Sequence, residues 1–73
     1  MQIQTYLVRP RSGTSWRPLT AEGFEDAALS YLETSHPPAD AEGEVVLIVR
    51  DGDTGREQCF RLDLETGRSE PCD

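Results

Sequence analysis

Five consecutive apolar residues, Val45-Val46-Leu47-Ile48-Val49, stand between Glu44 and Arg50. A β-branched run this short reads as a strand covered on both faces, and such a strand belongs in the interior of a sheet. The rest of the chain must therefore supply strands on either side of it. Residues 58–64 meet that need, alternating Phe60, Leu62 and Leu64 on one face with Cys59, Arg61 and Asp63 on the other. Between the two segments lies Asp51-Gly52-Asp53-Thr54-Gly55-Arg56, and after the second comes Asp63-Leu64-Glu65-Thr66-Gly67-Arg68. Both begin with Asp, place Thr before Gly, and put Gly where a type I turn with a bulge needs a left-handed residue. They predict two hairpins of one geometry, with a short last strand over residues 68–72.

That geometry fixes a register. If Asp51 pairs with Arg56, Leu47 faces Phe60, Val45 faces Leu62 and Ile48 faces Cys59. If Asp63 pairs with Arg68, Arg61 faces Glu70, Phe60 faces Pro71 and Cys59 faces Cys72. Apolar then meets apolar, Arg meets Glu, and Pro71 falls where its missing N–H costs nothing. A slip of one residue spoils all of these together.

Ahead of the apolar run, Phe24, Ala27, Ala28, Tyr31 and Leu32 follow the i, i+3, i+4, i+7, i+8 spacing of one buried helical stripe. Thr20 is the expected N-cap, and His36-Pro37-Pro38 ends the helix. Residues 2–9 read as a first strand stopped by Pro10, residues 10–19 as a basic loop carrying Trp16, and residues 36–43 as an acidic connector. The order β-α-β-β-(β) predicts an α+β two-layer sandwich. One helix packs on a three- or four-stranded, largely antiparallel sheet, with the first strand running parallel to the apolar one through a strand–helix–strand crossover. At 73 residues the chain supports one small domain, residues 1–73, near the lower limit for a self-sufficient core.

One helix covers one side of a sheet. With Ile3, Leu7, Val45, Leu47, Val49, Phe60 and Leu62 on the helix side, Tyr6, Val8, Val46, Ile48 and Cys59 fall on the other. A row of that kind needs a cover or a partner. Either the loop with Trp16 closes over it, or it is an interaction surface of Tyr6, Val8, Val46 and Ile48, anchored by Trp16 with Arg11 and Arg17.

Charge is distributed unevenly along the chain. Up to Leu19 there are three arginines and no acid, whereas from Thr20 fourteen acids face four arginines, giving −7 overall. A large acidic surface repels nucleic acid and attracts basic partners, so direct DNA or RNA binding is not expected. Lys and Asn are absent, a bias of GC-rich coding that fits a bacterial or phage source. No apolar run approaches bilayer length and the first residues lack a signal peptide's charged and apolar regions, so a cytoplasmic setting without a membrane is expected. In that setting Cys59 and Cys72 are expected as reduced thiols, although the register also permits a disulfide between them.

Catalytic chemistry finds little footing. Two Cys and a distant His36 fall short of a structural zinc set, and His36 sits at a helix end without a nucleophile beside it. Asp51-Gly-Asp-Thr-Gly lacks the distal Glu of an EF-hand loop, and Asp-Thr-Gly here is turn chemistry. No catalytic residue, metal or cofactor is expected. The sequence thus points to a small acidic, non-enzymatic protein-binding or regulatory module, with a homodimer as one form of its association. The alternative is a phage or mobile-element inhibitor, anti-CRISPR-like, whose acidic face imitates nucleic acid on a basic host complex.

Overall fold

The twin turns organise one half of the molecule. In the computed structural model, which describes residues 3–35, 37, 39 and 43–72, Asp51 N–H donates to the Arg56 carbonyl at 2.8 Å and Gly55 N–H to the Asp51 carbonyl at 2.9 Å. Asp63 N–H to Arg68 and Gly67 N–H to Asp63 repeat the pattern at 2.9 and 2.8 Å. Each Asp side chain then caps its own turn: Asp51 Oδ1 accepts from the amides of Asp53 and Thr54, and Asp63 Oδ1 from those of Glu65 and Thr66. Gly55 and Gly67 sit at φ +78° and +75°, the left-handed region that a side chain disfavours.

These turns join β3 (Glu44–Asp51), β4 (Glu57–Asp63) and β5 (Ser69–Pro71) into an antiparallel meander. The register is the expected one, with Leu47 opposite Phe60, Val45 opposite Leu62, Ile48 opposite Cys59, Arg61 opposite Glu70 and Phe60 opposite Pro71. Leu64 is not part of the inner face, because β4 stops at Asp63; it is 45% exposed in the turn.

The other half departs from expectation. The chain forms β1 (Gln4–Pro10), turns back through residues 11–16, and adds β2 (Arg17–Ala21) before the helix α1 (Phe24–Ser35). The sheet therefore has five strands in the order β2-β1-β3-β4-β5, with α1 packed against it: an α+β fold of two layers. Because β2 rather than β1 leads into α1, β1 enters the sheet antiparallel to β3. Consecutive antiparallel pairings of β2 with β1 and β1 with β3 leave β2 and β3 pointing the same way. The strand–helix–strand crossover exists, but it starts from β2 and spans the inserted β1. Thr20 lies inside β2, so it is not the N-cap; the first helical turn opens with Ala27 N–H to the Gly23 carbonyl at 3.0 Å, and the Asp26 carboxylate accepts Glu22 N–H.

The register of β1 on β3 also sets its faces the other way from the expected ones. Val8 lies opposite Val49 and Tyr6 opposite Asp51, so Tyr6 and Val8 join the helix-side core at 4% and 0% exposure. Leu7 turns to the other face, and Ile3 is 69% exposed ahead of the strand. The core comprises Tyr6, Val8, Val45, Leu47, Val49, Phe60 and Leu62 from the sheet, with Ala21 ending β2. Ala27, Ala28 and Tyr31 of α1 close over it, with Phe24 and Leu32 at the margin, which is the stripe expected from spacing. The Phe24 ring meets that of Tyr6 edge-on, centroids 5.2 Å apart. No helix among the described residues is long and apolar enough to cross a membrane.

Candidate functional site

With α1 on one side, strand alternation defines the opposite face. Val46, Ile48 and Arg50 of β3 point there, together with Leu7 and Arg9 of β1 and Cys59 and Arg61 of β4. The register sets an arginine across from each aliphatic residue: Leu7 faces Arg50, Ile48 faces Arg9, and Val46 faces Arg61. Leu7, Val46, Ile48 and Cys59 are all half-buried. Long arginine stems beside aliphatic side chains make a surface that is apolar near the backbone and cationic at its rim.

Trp16 belongs to this face. It is half-buried, with the Arg9 guanidinium over its ring at 4.9 Å from the centroid, a cation–π contact. Arg9 Nη1 also donates to the carbonyls of Pro10, Arg11 and Gly13 at 3.2, 3.3 and 2.9 Å. One side chain thus gathers the β1–β2 loop and fixes the indole at the edge of the sheet. Arg11 N–H donates to the Val46 carbonyl at 2.9 Å, which extends the β1–β3 pairing and leaves an exposed Arg11 beside Val46.

Of the surface expected from the sequence, the structure brings together Trp16, Arg11, Val46 and Ile48. Tyr6 and Val8 are corrected to the core for the reason given by their register. Burial pushes the Tyr6 phenol above its ordinary value of 10.0, and the carboxylates of Asp51 and Asp53 push it further the same way. Arg17 is corrected too: it pairs opposite Val8 on the helix side, and its Nη1 donates to Ser35 Oγ at 2.7 Å, tying β2 to the end of α1. Sequence reasoning placed Arg61 on this face without counting it in the surface, and it missed Leu7, Arg9 and Arg50. Alternation from Val46 and Ile48 was enough to find Arg50, but Leu7 and Arg9 required the register of β1 on β3.

Acids enter the face from β4 and β5 and from the start of β3. Glu57 lies opposite Arg50, Glu70 opposite Arg61, and Arg61 Nε is 3.7 Å from Glu44 Oε1. Toward β1 the balance is different, since the recorded partners of Arg9 are backbone carbonyls and an indole. Among the described residues the face is thus graded from an acid-bearing β3–β5 side to a β1–β2 side held by Arg9 and Trp16.

Cys59 and Cys72 form a disulfide at the β5 margin of the same face, with Cα atoms 5.2 Å apart and Cys72 N–H donating to the Cys59 carbonyl at 3.0 Å. The pairing is the one the register allows, and the reduced state expected from the setting is not the state observed. Among the described residues no group of three His, Cys, Asp or Glu side chains is placed to hold a metal ion. His36 and most of the acidic connector lie outside the described residues.

No curated protein and no solved structure matches the chain. A family model does, over residues 6–73, which takes in every strand and the helix described above apart from the first two residues of β1. The chain belongs to the family of unknown function DUF5961.

Proposed function

We propose that the protein is a small non-enzymatic binding module whose sheet face away from α1 docks an acidic, aliphatic-bearing segment of a partner protein. The observation that carries this reading is the arrangement of Leu7, Ile48 and Trp16 around Arg9 on a face that α1 does not reach. An aromatic residue and an arginine fixed side by side are the residue types that dominate binding hot spots. The charge gradient selects the occupant. A partner offering carboxylates beside aliphatic side chains satisfies Arg9 and Arg11 and buries Leu7 and Ile48, whereas a basic partner meets like charge there.

The test is a chemical-shift titration with a peptide of alternating glutamate and leucine, run beside a lysine–leucine control. The expected result is that the acidic peptide perturbs the amides of Leu7, Val46 and Ile48 and the Trp16 indole. Its affinity should weaken about tenfold or more on adding salt or on Arg9→Glu. Equal binding of the lysine peptide, perturbations confined to α1, or a stable dimer that leaves the face occupied by a second copy would overturn the reading.

A further inference from the structure

We propose that β5 is a redox latch: reduction of Cys59–Cys72 releases this strand and bares the edge of β4, while β1–β4 and α1 stay folded. The latch does not depend on what occupies the uncovered face. Its basis is the contrast between the two sides of β4. Toward β3, β4 is paired along its whole length, from Glu57 opposite Arg50 to Asp63 opposite Glu44, and its Phe60 and Leu62 are in the core under α1. Toward β5, the ladder covers only Ser69, Glu70 and Pro71.

Those three residues bury little: Glu70 and Pro71 are exposed and Ser69 is half-buried. Beyond the turn at Asp63–Arg68, the bonds that hold the strand are those of the Arg61–Glu70 pair, the Cys72 amide to Cys59, and an exposed contact between Ser69 Oγ and a Glu25 carboxylate oxygen. The disulfide is the strong link in this set. It joins residues 13 apart in sequence across the turn, so it holds the last strand without crossing the core. A short, solvated segment of this kind opens locally, at a free energy far below that of global unfolding.

The chemistry is thiol–disulfide exchange with a dithiol reductant. Its thiolate attacks one cysteine Sγ, breaking the S–S bond and forming a mixed disulfide while the other cysteine leaves as a thiolate. The reductant's second thiol then displaces the first cysteine, so the protein gains two electrons and two protons and the reductant ends as a cyclic disulfide. With β5 released, the outward backbone groups of Cys59 and Arg61 become a free strand edge, the template to which an extended segment of another chain adds. Cys59 lies opposite Ile48, so that edge borders the uncovered face.

Amide hydrogen exchange on the full chain, oxidised and then reduced with dithiothreitol, tests the latch, with the double substitution Cys59→Ser, Cys72→Ser as a second arm. The expected result is exchange at Glu70 faster by about tenfold or more in both arms, with protection at Leu47, Val49 and through α1 unchanged. Unchanged protection at Glu70 would overturn the proposal. So would loss of protection throughout the chain on reduction, since the disulfide would then be a staple for the whole fold.

Discussion

Tyr6 illustrates how much a single ring and hydroxyl contribute at different pH. The ring is core, edge-on to Phe24, while its hydroxyl makes a long 3.5 Å contact with Gln4 Oε1. The phenol's folded-state pKa lies above 10.0, so its neutral form is the one the fold favours. That contribution is whole below the unfolded value and is lost as pH rises through the higher folded value. Tyr6→Phe keeps the ring and removes the ionisation. Urea unfolding should show a cost under about 1 kcal/mol at neutral pH, and a smaller alkaline loss of stability than in the wild type at about pH 11. An alkaline decline identical in both proteins would remove Tyr6 from this role. Val8, two residues on, makes the same point about faces: alternation shows that Tyr6 and Val8 share a side, but which side is decided by the strand beside them.

At the scale of elements, Gly52 shows where local sequence stops being sufficient. The sequence marks it as a turn residue, yet its constraint is tertiary: its N–H donates to the Thr5 carbonyl at 2.9 Å, and a Cβ there would stand 2.8 Å from that oxygen. Gly52→Ala must push β1 away from the hairpin and should cost about 1–3 kcal/mol in a thermal or urea melt. Gly23→Ala, with nothing within 4 Å, should cost less than about 1 kcal/mol at the helix start. Equal costs would show that the turn does not lean on β1. The meander and the helix were legible because each carries its own signal: the apolar run, the twin Asp–Thr–Gly turns, the stripe from Phe24 to Leu32. Strand β2 has none. Arg17-Pro18-Leu19-Thr20-Ala21 offers only Leu19 and Ala21 as apolar positions and contains a proline that suits an edge, so it reads as loop until Tyr6 and Leu7 are known to pair with it. Missing β2 left β1 in the wrong direction, and its register with β3, which local sequence does not carry, puts Leu7 and Arg9 rather than Tyr6 and Val8 on the open face. The half of the candidate site on β3 was readable for the same reason that its strand was.

For the whole molecule, the acidic chain keeps a cationic patch. Carboxylates are plentiful, and among the described residues Glu44 of β3, Glu57 of β4 and Glu70 of β5 face the side away from α1. Arg9 and Trp16 stand together at the β1–β2 side of that face within a chain of net charge −7, so an acidic partner would be oriented as well as attracted. Binding at that face requires it to be a surface and not a second core. Leu47 and Ile48 are neighbours in one strand with opposite exposures, Leu47 fully buried under α1 and Ile48 half-buried beside Arg9. A circular dichroism melt of Ile48→Asp beside Leu47→Asp separates the possibilities. The account predicts a folded Ile48→Asp protein with a cooperative transition, and an unfolded Leu47→Asp protein, since an unpaired charge in the core costs more than about 4 kcal/mol. Unfolding of both variants would contradict it, because Ile48 would then belong to the core and the face would have nothing left to bind with.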